Sequence, residues 1–187
     1  MWRSKGYQAL SIAINVSVNQ FRQPSFVKLL VTDPQAAPGE AGDVILELTE
    51  TAIMEDLTHN IEILNQIKAK GYKLSIDDFG TGYSSLSYLV QLPIDELKID
   101  RSFVQDIHTD EADTTIVKTI LAMGQRLNLK VVAEGVETER QLEFLKEHGC
   151  DEFQGYLFAK PLSNEEFTRL LDKTTPNPRR IELVSSK

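Results

Sequence analysis

Six polar side chains that could bind a metal ion or act on a phosphate ester stand at or near the ends of apolar, β-rich runs. They are Asn15, Glu47, Asp77, Lys98, Glu134 and Gln154. Carboxylate and amide oxygens are ligands of hard divalent cations, and a lysine can stabilise negative charge on a phosphate. This set of residue types suits two-metal hydrolysis of a phosphate ester, in which metal ions generate hydroxide and stabilise the phosphate oxygens.

The most informative local feature is the segment Asp77-Asp-Phe-Gly-Thr-Gly82. Adjacent aspartates at a strand end can bind two cations, with one side chain bridging the ions and its neighbour completing the second site. Gly80 and Gly82 would let the backbone turn tightly beside a ligand. The alternative is an aspartate-rich turn that caps a helix starting near Ser84.

Two acidic pairs follow the same pattern, Glu47 with Glu50 and Glu134 with Glu137. An acid inside an apolar strand is costly to bury unless it is paired or binds a metal ion. The alternative for Glu47 is that strand alternation turns it to solvent. The alternative for the second pair is an acidic first turn of the next helix, which the helix dipole favours.

The neutral and basic members of the set also have structural alternatives. Lys98 could stabilise a phosphate or orient an attacking water, or it could be a counter-ion for Asp100. Asn15 and Gln154 could offer ligand oxygens or satisfy buried backbone groups. Chance alone does not explain why acids, amide and lysine recur at the ends of successive strands, so we favour the catalytic interpretation.

The elements that would position these residues alternate between strand and helix. Strand-like runs span residues 9–16, 44–49, 73–77, 96–99, 130–133 and 152–158. Between them, helical spacing predicts a helix over about 56–70 that stops at Gly71, and capping boxes start helices at Thr138 and Ser163. Gly149 is a further expected helix stop.

This alternation predicts an α/β fold with a parallel sheet, and the polar strand ends favour a TIM-like (β/α)8 barrel over an open sheet. In a barrel the carboxyl ends of all strands meet at one mouth, whereas an open sheet concentrates its site at one switch point. About six βα units are recognisable, so we expect the first strand and helix of the barrel to lie before Met1. We assign residues 1–172 to this domain and 173–187 to a tail or linker.

The composition narrows the partners and the compartment. The 187 residues carry a net charge of −8, which disfavours binding to duplex nucleic acid. A single cysteine, Cys150, permits no internal disulfide and fits a cytoplasmic protein. No apolar run is long enough to cross a bilayer, so we expect no membrane contact from this chain, although upstream domains could carry an anchor.

The chain resembles the EAL family of cyclic di-GMP phosphodiesterases over about residues 2–172. The motifs that carry the resemblance are long and jointly specific. They are Ile14-Asn-Val-Ser17, Glu47-Leu-Thr-Glu50, Asp77-Asp-Phe-Gly-Thr-Gly-Tyr-Ser-Ser85, Leu97-Lys-Ile-Asp-Arg-Ser-Phe103, Ala133-Glu-Gly-Val-Glu137 and Gln154-Gly-Tyr-Leu-Phe-Ala-Lys-Pro161.

This resemblance implies a TIM-like barrel that hydrolyses cyclic di-GMP to linear pGpG with Mg²⁺ or Mn²⁺, two ions in the complete domain. By matching positions, Asn15, Glu47 and Asp77 would hold one metal ion. Asp77 would bridge to a second ion held by Asp78 and Glu134, and Glu134 also matches the proposed general base.

The remaining motif positions imply supporting roles. Lys98 would position the metal-bound water, and Gln154 would contact or orient the reacting groups. Glu50 would anchor the loop after the aspartate pair, a loop that commonly joins a homodimer interface. Asp100 and Glu137 match supporting positions.

The Glu-Ala-Leu signature that names the family has no equivalent in this sequence. Because its glutamate is a ligand of the first metal ion in the family, we expect that site to be weakened here. Three hypotheses therefore remain: an active phosphodiesterase, a catalytically impaired module that binds cyclic di-GMP or regulates, and a structural unit that dimerises. A barrel hydrolase acting on another phosphodiester ranks below these.

Overall fold

The computed structural model describes residues 10–30, 44–82 and 86–173. Within them, six parallel strands form one sheet in the order β1-β2-β3-β4-β5-β6. The strands are β1 Ile12–Asn15, β2 Val44–Thr49, β3 Lys73–Phe79, β4 Glu96–Ile99, β5 Lys130–Ala133 and β6 Glu152–Phe153. The predicted alternation of strands and helices is confirmed.

Helices connect successive strands and cover the outside of the sheet. They are α1 Val18–Phe21, α2 Phe26–Leu29, α3 Glu50–Met54, α4 Leu57–Ala69, α5 Leu86–Leu89, α6 Arg101–Gln105, α7 Glu111–Leu127, α8 Glu139–Glu147 and α9 Asn164–Lys173. The predicted capping box at Thr138 is present, and Ser163 and Glu166 exchange the equivalent hydrogen bonds. None of the helices in the described ranges is both long and apolar enough to cross a membrane.

The strand order decides between the two predicted architectures. Each strand pairs with the next one in sequence and the order never reverses, so the sheet has no switch point of the kind found in doubly wound folds. Successive parallel βα units that add in one direction form the wall of a (β/α)8 barrel. The described residues are therefore an incomplete TIM-like barrel of six strands, as predicted.

Strand alternation separates the two faces of this wall. On β2, Leu46 and Leu48 belong to the hydrophobic core beneath the helices, while Glu47 between them faces the barrel interior. The helices contribute their apolar stripes to the same core, with Leu64 and Ile67 of α4 fully buried. Apolar packing outside the sheet thus fixes which polar side chains point inward.

Several predicted boundaries differ from the structure. The sixth strand was expected to run to Phe158 but ends at Phe153, because the backbone of Gly155 packs against that of Val136 and the chain turns there. The third strand is longer than predicted and reaches Phe79. The helix start near Ser84 and the tail from 174 onward lie outside the described residues.

Candidate functional site

A buried lysine joins three carboxylates at the carboxyl end of the sheet. Lys98 Nζ lies 2.8 Å from Glu47 Oε1, 3.0 Å from Asp77 Oδ1 and 2.6 Å from Glu134 Oε1. The Lys98 side chain is 2% exposed. An ammonium group buried this deeply requires such partners, because an unpaired buried charge is costly.

Four different elements supply this cluster. Lys98 lies on β4, Glu47 on β2 and Asp77 on β3, and Glu134 follows β5 directly. Parallel register brings their ends to one edge of the sheet, with Lys98 paired to Val132 of the neighbouring strand. The sequence-based prediction that these four residues converge is confirmed.

Two of the structural alternatives are wrong. Glu47 does not face solvent, because it is 2% exposed and points at Lys98. Lys98 is not primarily a counter-ion for Asp100, since its ion pairs among the described residues are with the three interior carboxylates. Lys98 and the three carboxylates therefore form one interior cluster of ion pairs.

Burial and mutual charge shift the protonation of this cluster. Burial alone would lower the pKa of Lys98, but the carboxylates of Glu47, Glu134 and Asp77 outweigh it and raise that pKa. Burial also raises the pKa of Glu47 and of Glu134, and the nearby Lys98 charge only partly offsets this. Lys98 is consequently cationic at neutral pH.

Three carboxylates beside the lysine could hold a divalent cation. One ligand oxygen from each of Asp77, Asp78 and Glu134 lies within 4.8 Å of the others. Asp78 reaches this position through a left-handed backbone conformation with φ of 55°. An all-oxygen set of this kind suits a hard ion such as Mg²⁺, Mn²⁺ or Ca²⁺.

Asp100, which accepts hydrogen bonds from Ser102, lies beside the carboxyl group of Asp78. The carboxyl groups of Asp78 and Asp100 are within hydrogen-bonding reach, and burial together with the charges of Asp77 and Asp100 raises the pKa of Asp78. Asp100 accepts a 2.9 Å bond from the Ser102 amide and a shorter one from its hydroxyl. Although burial opposes it, this pair of bonds lowers the pKa of Asp100.

Glu50 anchors the loop that follows the aspartate pair. Its Oε2 accepts a hydrogen bond of 3.2 Å from the amide of Gly80, whose φ is 100°. A Cβ atom at Gly82 would lie 2.3 Å from Glu50 Oε1, so a side chain at this position would displace the Glu50 carboxylate. The buried Glu50 carboxylate therefore fixes the backbone beside Asp78.

Backbone hydrogen bonds join the loops that follow β5 and β6. The amide of Val136 donates to the carbonyl of Gln154 at 3.0 Å, and the amide of Leu157 donates to the carbonyl of Val136 at 3.0 Å. Gly155 allows this contact, because a Cβ there would lie 2.1 Å from the Val136 carbonyl oxygen. The side-chain oxygen of Gln154 is buried and has no hydrogen-bond partner among the described residues.

Two candidate residues lie apart from the cluster. Asn15 pairs with Glu47 in the β1–β2 register, but it is exposed on the first described strand. Glu137 is exposed at the start of α8, where its amide donates to Gln141. No described contact joins either side chain to Lys98, so their roles stay predictions.

Sequence reasoning missed two supporting groups. Ser102 was not singled out, although the spacing Asp100-x-Ser102 is typical of an aspartate that caps a helix and accepts from the residue two positions on. The backbone of Val136 was missed because main-chain bracing between two loops has no side-chain signature.

Known proteins match this chain closely. The bifunctional diguanylate cyclase/cyclic di-GMP phosphodiesterase MucR of Pseudomonas aeruginosa is 45% identical over 166 residues, covering 89% of this chain and 24% of MucR. This chain thus spans about a quarter of that relative's length. A phosphodiesterase solved as a c-di-GMP complex, PaMucR, superposes with a TM-score of 0.83 at 44% identity, covering 89% of this chain and 67% of that one.

A further solved relative contains a metal ion. BlrP1 of Klebsiella pneumoniae, in a manganese/cy-diGMP complex, has a TM-score of 0.71 at 35% identity and covers 80% of this chain and 38% of its own. The family model described as the EAL domain matches residues 1–161. This chain therefore belongs to the EAL domain family.

Proposed function

We propose that this chain hydrolyses cyclic di-GMP to linear pGpG in a metal-dependent reaction. The observation that carries the proposal is the mouth of the half-barrel, where Asp77, Asp78 and Glu134 form a hard-cation ligand set directly beside the buried cationic Lys98. Both features would promote hydrolysis of a phosphodiester, because they neutralise its negative charge while a water attacks. The relatives named for cyclic di-GMP support the choice of substrate.

Mg²⁺ or Mn²⁺ would be held by these carboxylates, with two ions in the complete domain. Asp77, Asp78 and Glu134 form the second site, and Asn15, Glu47 and Asp77 form the first. Bound at this mouth, the ions would supply an activated water and charge neutralisation on the phosphate oxygens.

The other residues at the mouth would accept the proton of the attacking water or contact the reacting phosphate. Glu134 is the general base, a role that suits a carboxylate whose pKa burial has raised. Lys98 would orient the attacking water and stabilise the charge that develops on the phosphate. Gln154 would contact the reacting groups, and its unpartnered buried oxygen is suited to accept a hydrogen bond from them.

Supporting residues would hold this arrangement in place. Asp100 orients Asp78, Glu50 anchors the loop of Gly80, and Glu137 contributes from the start of α8. The loop bonds described above support the first two roles.

A regulatory or ligand-binding role is the second candidate. It is favoured by Glu47, whose side chain lies against Lys98, is 1% exposed and is therefore less accessible to a first metal ion. In such a module cyclic di-GMP would bind without turnover.

We further propose a homodimer in the cytoplasm without contact to duplex nucleic acid. Tyr88 and Val90, 46% and 67% exposed, follow the loop that Glu50 anchors and could pack against a second copy. The net charge of −8 opposes binding to a polyanion. Cys150 is a free buried thiol, which suits a reducing compartment.

The decisive experiment incubates the purified chain with cyclic di-GMP and Mn²⁺ and follows linear pGpG by chromatography. An Asp77→Ala variant is the control, because Asp77 contacts Lys98 and belongs to the ligand set. Turnover that depends on Asp77 is the expected result. Turnover no greater than the control rejects the enzyme, and calorimetry with cyclic di-GMP then tests the binding module.

A further inference from the structure

A second ion cluster lies inside the half-barrel, below the mouth. The amine of Lys130 lies 3.8 Å from Glu96 Oε2 and makes a shorter ion pair with Glu152. These residues begin β4, β5 and β6, three neighbouring strands of the sheet. We call the three residues the lower triad.

The lower triad points into the barrel interior. Glu96 lies two residues before Lys98 on β4, and Lys130 lies four residues before Glu134, so each shares a face with a residue of the mouth. Two residues of a strand span about 7 Å, so the triad is the next layer beneath the site. The side chains of Glu96 and Glu152 are 3% and 14% exposed, which makes the cluster an interior one.

The triad strengthens the weakest part of the sheet. The strand β6 has only two residues, and its pairing with β5 consists of Val132 with Glu152 and Ala133 with Phe153. The loop that carries Gln154 begins where this short ladder ends. An ion pair across β5 and β6 therefore adds a side-chain tie where backbone hydrogen bonds are few.

Lys130 is the member that links the other two. It stands between two carboxylates on the strands at either side of its own, so its ammonium group balances both. Without it, Glu96 and Glu152 would lose the cation that links their strands to β5. Loss of this link would loosen the packing of β4 and β6 against β5.

We infer that the lower triad positions Lys98 and Glu134 for the reaction. Lys98 and Glu134 stand on β4 and just beyond β5, and their 2.6 Å contact depends on the register of these strands. A metal-ligand set that must close within 4.8 Å tolerates little displacement of Glu134. The members of the triad are thus positioning residues, which touch neither substrate nor metal, and the inference rests on the proposed function.

The test compares Lys130→Met with a matched control, Lys68→Met. Lys68 also pairs with a carboxylate, Asp95 at 2.6 Å, and its side chain is 33% exposed against 27% for Lys130. Lys68 lies on α4, outside the barrel interior. Lys68→Met removes one partly buried ion pair and Lys130→Met removes two, but only Lys130→Met removes a charge from the layer beneath the site.

For Lys130→Met we expect kcat for cyclic di-GMP to fall about tenfold and the Kd for Mn²⁺ by calorimetry to rise about tenfold, with KM unchanged within about twofold. Amide hydrogen exchange at Gln154, which donates to Ala133 at 2.8 Å, should become faster even without metal. Lys130→Arg should restore all three quantities, and Lys68→Met should leave them near those of the unmodified chain.

Equal values of kcat, Mn²⁺ affinity and exchange in Lys130→Met and Lys68→Met would overturn the inference. If Lys130→Met does not fold, as judged by circular dichroism, Glu152→Gln replaces it with Asp95→Asn as its control, and the same comparison decides. Absence of turnover in the unmodified chain contradicts the proposed function instead. Mn²⁺ titration and hydrogen exchange then still test the triad.

Discussion

The two sides of the barrel mouth contain the same kinds of side chain, but these side chains differ in their contacts and in their exposure. On the β3–β5 side, Asp77, Asp78 and Glu134 bring their oxygens within 4.8 Å of one another. On the β1–β2 side, Glu47 is buried against Lys98 and Asn15 is exposed on the first described strand. The first side has a geometry that could hold a cation, whereas the described contact of Glu47 on the second side is with the lysine.

The difference shows that side chains of the same type differ in how accessible they are to an ion. All three carboxylates contact Lys98, but the Asp77 and Glu134 side chains are 14% and 18% exposed against 1% for Glu47, so an ion can reach them more easily. Lys98 links the two sides, because it contacts one carboxylate of the β1–β2 side and two of the β3–β5 side. Its removal should therefore affect both.

The largest effect is expected from Lys98→Met. The change leaves Glu47, Asp77 and Glu134 without the cation that balances them, and breaking a buried ion pair costs about 3–5 kcal/mol. Chemical denaturation should show this loss in the free energy of unfolding, and Mn²⁺ should restore part of it by neutralising the carboxylates. An unchanged unfolding midpoint would mean that the cluster contributes no net stability.

The next effect is expected from Glu50→Ala, which releases the loop between the two sides. The Gly80 amide loses its 3.2 Å bond to a buried carboxylate, a loss of about 2 kcal/mol. Thermal unfolding should show a lower Tm, and Mn²⁺ affinity should fall because Asp78 precedes this loop. Glu50→Gln keeps an acceptor oxygen and is the control. The role of Glu50 is contradicted if both variants lose the same amount.

A smaller, graded effect is expected from pH. Burial raises the pKa of Asp78 and Glu134, so these groups take up protons at a higher pH than free carboxyls. Since a metal ligand must be deprotonated, Mn²⁺ affinity should be highest above the raised pKa values and fall as pH falls through them, about tenfold per pH unit for one proton. Calorimetry across the acidic range checks this, and an affinity independent of pH would contradict it.

The sequence predicted the strands well where physical signals are local. The runs at 44–49 and 96–99 are rich in β-formers and bounded by polar residues, so β2 and β4 match their predicted bounds. The run at 152–158 is equally apolar, but only its first two residues form β6. Strand β6 ends where the backbone of Gly155 packs against that of Val136. This is a tertiary contact, which the local sequence pattern does not reveal.

The candidate site was predictable in its members and not in its internal pairing. Alternation indicates which face a side chain shares, whereas the register between distant strands decides which atoms meet. The sequence therefore indicated Lys98 as a mouth residue but suggested Asp100, its neighbour in the chain, as an ion-pair partner. The partners come instead from β2, β3 and the residue after β5, and packing of the whole wall sets those distances.

The most direct test of the contrast between the two sides is a calorimetric Mn²⁺ titration of the unmodified chain, Asp78→Asn and Glu47→Gln. One tight site is expected in the unmodified chain. Asp78→Asn should weaken it by about 100-fold, whereas Glu47→Gln should keep it within about threefold. Two equally tight sites in the unmodified chain, or full affinity in Asp78→Asn, would contradict the assignment of the cation site to the β3–β5 side.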